Sequence, residues 1–193
     1  MKYFPKTRNC IKSILTYCPD LSNAELSSAV CETQLRPYVK LSGTMIKAVR
    51  KELGIKTNTP TVLMFVYGSL LKGLGNHRLL QRIDADFIAE DSISAKLYTQ
   101  HWGWPFIKLN NNGSTVKGEV YSVLKSRVKE VDGLEGYRES NPENSLFIRH
   151  KIITNNNREV FIYEGGNHLL PSNSTSVEHG DWKKALNERN KSY

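Results

Sequence analysis

The spacing of apolar positions changes character near residue 60. Before that point it is helical. Ile11, Ile14, Leu15 and Cys18 recur at i, i+3, i+4 and i+7, the stripe of an amphipathic helix, and Pro19 stops it. Ser22-Asn23-Ala24-Glu25 has the form of a capping box and opens a second helix through Leu26 and Val30. A third starts near Ser42, turns Ile46, Val49 and Leu53 inward, and ends at Gly54. Thr57-Asn58-Thr59-Pro60 reads as a linker. From Thr61 onward, short β-branched and aromatic runs predict strands over 62–66, 93–98, 118–123, 147–153 and 160–163. Asn110-Asn111-Asn112-Gly113 is a good hairpin turn between two of them. Helical pieces are expected over 77–83 and 126–134, and the tail "HGDWKKALNERNKSY" reads as a short helix or an ordered end held by Trp182. The expected architecture is α+β with a largely β core, a closed or partly closed barrel, preceded by a small all-α unit. The expected divisions are 1–58, 61–183 and a tail over 184–193.

Charge sharpens this division. Residues 1–60 hold ten Lys/Arg against four Asp/Glu, so they carry +6 of the formal +8. Such asymmetry suggests an acidic partner for the first unit, nucleic acid being the commonest. "LSNAELSSAV" and "SGTMIKAVRKELGI" resemble the two helices of a helix-turn-helix or winged-helix domain, with Lys47, Arg50 and Lys51 projecting from the recognition helix as candidate nucleic-acid contacts. The connection "CETQLRPYVKLSG" is longer than the usual ~3–4-residue turn, so a protein-docking or purely structural bundle stays open. No apolar run approaches ~18 residues, which excludes a transmembrane helix. The first twenty residues lack the apolar stretch of a signal peptide. Cys10, Cys18 and Cys31 match no metal spacing, which suggests reduced, mostly buried thiols in a cytoplasmic protein.

The candidate chemistry lies in "VLMFVYGSLLKGLGNHRLL", residues 62–80. A buried strand ends in Tyr67-Gly68-Ser69-Leu70, and Gly73 and Gly75 follow before Asn76-His77-Arg78 opens a helix. A strand–turn–helix junction gathers unpaired backbone N–H groups, suited to carboxylate or carbonyl oxygens. The spacing is neither G-x-G-x-x-G nor a G-x-S-x-G nucleophile elbow, and a tight turn beside the core would produce the same letters.

This run resembles the gamma-glutamylcyclotransferase-like proteins, closest to the gamma-glutamylamine cyclotransferase branch. That branch carries Tyr-Gly-(Ser/Thr)-Leu, a glycine three residues later, then Asn-His. Four further matches follow in order: "WPFI" (104–107), "GEVYSV" (118–123), "VDGLEGY" (131–137) and "VFIY" (160–163), with "GDW" (180–182) as a common tail. The resemblance covers about residues 61–183. It implies a barrel with flanking helices and cyclisation of a gamma-glutamyl group, giving 5-oxoproline and a free amine or amino acid. It also implies Glu135 as proton acceptor and donor and Tyr67, Gly68, Ser69 and Leu70 as the substrate loop, with no metal or organic cofactor.

Glutamate at its usual pKa of ~4.3 is a poor base near neutrality, so this role needs a raised pKa. Glu135 ends a predicted helix just before Gly136, where the helix dipole disfavours a carboxylate. Glu119 and Asp132 are rivals from the residues alone. Tyr121 and Tyr163 are candidate pocket residues, and His77 is either a substrate contact or structural. Where the family often has Tyr-x-Arg after the glutamate, this chain has Phe147-Ile148-Arg149, and "RESNPENS" before it is longer than usual. The leading expectation is a cyclotransferase; the alternative is a ligand-sensing protein that uses the same pocket.

Overall fold

The computed structural model describes residues 4–19, 21, 23–34, 43–54, 60–100, 104–109 and 114–191. It divides into two compact units, Met1–Thr59 and Pro60–Tyr193. The linker residues Thr57 to Thr59, the capping residue Ser22, the connection over 35–42 and the turn over 110–113 lie outside the described residues.

In the first unit, α1 (Phe4–Tyr17), α2 (Asn23–Gln34) and α3 (Gly43–Glu52) share a core of Ile11, Leu15, Leu26, Val30, Ile46 and Val49. These are the apolar positions that the helical period selects, each removed from water. Gly54 follows α3 with φ +69°, the left-handed conformation that a glycine stop supplies. Arg8 and Lys12 of α1 both reach Glu52 of α3, at 2.9 and 2.6 Å. Cys18 is exposed, contrary to the expectation of buried thiols, because α1 ends at Tyr17 and the thiol lies past its apolar face.

The second unit is built on β1 (Thr61–Val66), β2 (Asp86–Gln100), β3 (Trp104–Leu109), β4 (Thr115–Leu124), β5 (Phe147–Ile153), β6 (Glu159–Gly165) and the short β7 (Thr175–Ser176). Their order is β3-β2-β4-β1-β6-β5, with β7 pairing β2. All pairs are antiparallel except β1 with β6. β2 is far longer than its apolar alternation suggests. Its first half, Asp86–Ser94, pairs with β4 through a bulge between Phe87 and Ala89, and its second half pairs with β3 and β7. The sheet curls so that the Leu109 N–H of β3 donates to the Glu164 carboxylate of β6 at 2.9 Å, and Lys108 donates to the Gly165 carbonyl. The result is an incompletely closed barrel filled by residues such as Phe65, Ile93, Leu97, Phe106, Val120 and Ile162. α4 (His77–Arg82), α5 (Val128–Glu135) and α6 (Trp182–Lys191) flank it. α6 buries Trp182 and Ala185, so the division expected at 183/184 falls inside a helix.

Two close approaches fix this frame. Asp91 of β2 is buried and collects hydrogen bonds from Thr154 Oγ1 (2.7 Å), Asn156 Nδ2 (2.8 Å), Arg158 (2.7 Å) and the Ser92 N–H (2.7 Å), which anchors the β5–β6 turn. Gly118 of β4 faces the end of β1, where a Cβ would stand 2.3 Å from the Val66 carbonyl oxygen and 2.5 Å from the Phe65 ring. A carbonyl held in a sheet cannot move aside. Gly118→Ala is therefore expected to cost more than about 3 kcal/mol, measured as a lowered midpoint of urea unfolding.

Candidate active site

β1 delivers the chain into a cavity of about 370 Å³ whose wall includes Tyr67, Gly68, Ser69, Leu70, Glu135 and Tyr163. The glycines of this run serve different ends. Gly68 is a close approach: a Cβ there would sit 2.8 Å from Pro105 of β3. Gly73 has φ +89° and occupies the third position of a turn closed by Leu74 N–H to the Leu71 carbonyl, which calls for glycine. Gly75 is in open space.

The loop is oriented by its carbonyls. Gly68 O accepts from the Leu71 N–H (3.0 Å) and Ser69 O from the Asn76 N–H (3.0 Å). Leu70 O lies 3.0 Å from His77 Nδ1, which places the ring proton on that nitrogen. Asn76 Nδ2 also donates to Ser69 Oγ at 2.9 Å. The N–H groups of Gly68, Ser69 and Leu70 have no acceptor among the described residues. Three consecutive donors on a cavity wall make a site for an anionic or strongly polarised oxygen.

Glu135 is the last residue of α5, and Gly136 terminates the helix with φ +63°. The Tyr137 N–H then turns back to the Asp132 carbonyl at 2.9 Å. Among the described residues, no hydrogen bond or ion pair reaches the Glu135 carboxylate. Burial pushes its pKa up from 4.5 to about 7, and the carbonyl end of the helix acts in the same direction. The phenol of Tyr67 is buried, donates to the Tyr163 carbonyl at 2.7 Å, and has its pKa raised by burial and by the Glu135 charge.

The rival carboxylates are committed elsewhere. Asp132 accepts from Arg149 with both oxygens at 2.7 Å and from the Tyr163 hydroxyl at 2.8 Å. Arg149 also lies over the Tyr137 ring at 4.7 Å. Glu119, with Tyr121, does not join the cavity: strand alternation puts both on the face that lines a separate cavity with Lys72, His77 and Lys183. There Glu119 accepts from Lys183 Nζ (2.7 Å), the Lys72 N–H (2.9 Å) and the Tyr121 hydroxyl (2.8 Å). Burial alone would raise its pKa, but these hydrogen bonds outweigh burial and hold it below the usual range. Glu119 therefore ties the glycine loop to α6. Tyr163, by contrast, does line the cavity with Glu135.

Trp104, Pro105, Leu134, Leu146 and Phe147 complete much of the wall and were not singled out by sequence pattern as site residues. The "WPFI" run was the available signal for the first two. Among the described residues, no group of three or more His, Cys, Asp or Glu side chains is placed to hold a metal ion. On the first unit, Arg50 is half-buried and donates to the Leu21 carbonyl, and Lys47 is half-buried with a partner of its own. Lys51 is exposed. The expected three-residue basic face is thus partly spent inside its own unit, because Arg50 lies beside the buried Ile46 and Val49.

Comparison with known proteins agrees with this frame. The family described as "Gamma-glutamyl cyclotransferase, AIG2-like" matches residues 64–184. A Methanocaldococcus jannaschii protein with a provisional gamma-glutamylcyclotransferase name is 31% identical over 121 residues, which is 62% of this chain and 94% of the relative. The gamma-L-glutamyl-butirosin B gamma-glutamyl cyclotransferase of Niallia circulans is 32% identical over 107 residues, 55% of this chain and 62% of that enzyme. The fold matches the crystal structure of an AIG2-like protein from Mus musculus with a TM-score of 0.51 and 19% identity, over 63% of this chain and 87% of the mouse chain. The chain belongs to the gamma-glutamyl cyclotransferase, AIG2-like family and is a gamma-glutamylcyclotransferase-like enzyme.

Proposed function

We propose that this enzyme converts a gamma-glutamyl amide into 5-oxoproline and a free amine, with Glu135 as the proton shuttle. The observation that carries the reading is a carboxyl group with a pKa near neutrality and no partner among the described residues, on the same cavity wall as three backbone donors that no described acceptor uses. The substrate's alpha-amine attacks its own gamma-carbonyl carbon. A lactam C–N bond forms, the amide C–N bond breaks, and no water is consumed. Glu135 takes a proton from the attacking nitrogen and returns one to the leaving nitrogen, so the proton count closes within one turnover. A pKa near 7 suits both halves of that task better than the ordinary carboxylate value. The N–H groups of the 67–70 loop hold the substrate carboxylate or the oxygen that becomes negative in the tetrahedral intermediate. Ring closure is intramolecular, so orientation within the cavity is the main requirement.

No observation favours the ligand-sensing alternative over this reading. The nucleic-acid reading of residues 1–58 rests on net charge, on the helix-turn-helix resemblance and on Lys47, Arg50 and Lys51 sharing one helix side, and Arg50 donates to the Leu21 carbonyl there.

Two outcomes test the role of Glu135. Purified protein is expected to release 5-oxoproline from gamma-glutamyl amides with kcat/KM falling below about pH 7, where the base becomes protonated. Glu135→Gln keeps the side-chain shape and should lower kcat by about 10²–10⁴-fold. Wild-type turnover in that variant would remove the assignment.

The second outcome needs no substrate. With a folded-state pKa of about 7 against 4.5, the folded protein holds this proton more tightly than the unfolded chain. The stabilising contribution is complete below pH 4.5 and is lost as pH rises through about 7. Glu135→Gln should therefore be more stable than wild type at pH 8, by on the order of 1–3 kcal/mol after allowance for solvent at the cavity mouth. The difference should shrink toward pH 5, as urea unfolding at the two pH values would show.

A further inference from the structure

We propose that the cavity behind the glycine loop is a second binding site, which takes a free α-amino acid with an aromatic side chain. Such a site is independent of the cyclotransferase reading. The cavity, of about 460 Å³, is lined by residues that include Lys72, Phe87, Glu90, Glu119, Tyr121 and Lys183. It shares none of its lining with the cavity that holds Glu135. Its size falls within the ~300–1,000 Å³ of small-molecule sites.

An irregularity in β2 makes the wall. Side chains alternate along a strand, so Phe87 and Glu90, three positions apart, would ordinarily face opposite ways. The bulge between Phe87 and Ala89 adds one residue, after which Phe87 stands opposite Tyr121 and Glu90 opposite Glu119. Tyr121 and Glu119 are two apart on β4 and share a face, so Phe87 and Glu90 share it with them. For the sheet alone this arrangement is unfavourable. Two carboxylates stand directly across from each other, and Phe87 is left 54% exposed with its ring edge-on to Tyr121 at 5.7 Å. A bulge that turns a ring and a charge into one cavity has its use in binding.

The charges of the lining select a zwitterion. Lys72 and Lys183 stand against Glu90 and Glu119. Glu119 is already satisfied by Lys183 Nζ, the Lys72 N–H and the Tyr121 hydroxyl. Lys183 gives it one hydrogen bond at 2.7 Å and keeps two further N–H groups on a side chain that is 41% exposed. Glu90 is exposed and has no partner among the described residues. A ligand carboxylate therefore meets the lysine ammonium, and a ligand ammonium meets Glu90. A ligand with only one of these charges forgoes one of the two charge-assisted contacts. Tyr121 already packs edge-on against Phe87 and lies 5.9 Å from the His77 ring, and the exposed face of Phe87 is open to a further ring. His77 itself turns Nδ1 to the Leu70 carbonyl, so an occupant rests against the residues that hold the loop.

The test is calorimetric titration of the full chain with L-phenylalanine, which is expected to show saturable binding. Phenethylamine lacks the carboxylate and 3-phenylpropionate lacks the ammonium, and each should bind about tenfold more weakly. Phe87→Ala and Glu90→Gln change exposed side chains, so both variants should keep the wild-type urea midpoint within error. Each should weaken phenylalanine binding by about tenfold. Glu135→Gln, in the other cavity, should bind phenylalanine as the wild type does. Absence of saturable binding to the wild type would overturn the proposal. Equal affinity for all three compounds would do the same, because the charge pair would then not be read. Undiminished binding in a folded Phe87→Ala or Glu90→Gln variant, or its loss in Glu135→Gln, would place the amino acid outside this cavity and overturn it as well.

Discussion

The second unit depends on a side chain that is absent. Gly118 lets β4 run directly against the last residues of β1, with the Val66 carbonyl where a Cβ would otherwise stand. That contact sets the height at which β1 ends, and the next four residues are the glycine loop. The following residue on β4 is Glu119, which holds the Lys72 N–H of that same loop. One close approach between two central strands therefore fixes both the loop and the carboxylate behind it.

The same chemical group is used in opposite ways around this frame. Asp91, Glu119 and Asp132 are withdrawn from water to different degrees, and each is matched by several donors. For Asp91 and Glu119, burial alone would raise the pKa, and the hydrogen bonds more than offset it. Such carboxylates are structural cross-links and would make poor bases. Among the described residues Glu135 receives no such compensation, so burial raises its proton affinity unopposed. What distinguishes the candidate catalytic group is a missing set of donors.

Much of this was readable along the chain. Glu135 and Gly136 announce a helix end, because a left-handed stop calls for glycine, and α5 ends there. The apolar period of residues 11 to 53 selected the core of the first unit. Three things were hidden, each for a physical reason. β3 begins with Trp104-Pro105, and proline argues against a strand; it is tolerated because β3 is an edge strand. The first half of β2 carries Asp86, Glu90 and Asp91, so its polarity masks a strand whose pairing with β4 supplies the missing stability. The face taken by Glu119 could not be decided, since alternation along β4 permits either side until the sheet curls. The resemblance pointed to Glu135 and to the Tyr67–Leu70 loop, which line one cavity, yet Leu134, Leu146 and Phe147 gather there only through tertiary folding.

The way the loop is anchored has a bearing on how such a protein can change over generations. Glu119 and His77 grip it from the side away from the cavity, with Lys183 holding Glu119, and none of the three lines the cavity itself. Exchange of Trp104, Leu134 or Leu146 thus alters the cavity wall without removing any of these anchors. Substitutions at separate places with no shared partner tend to combine additively. A scaffold arranged in this way can change the lining of its cavity by single steps, each tolerated on its own, while the anchored loop is inherited unchanged.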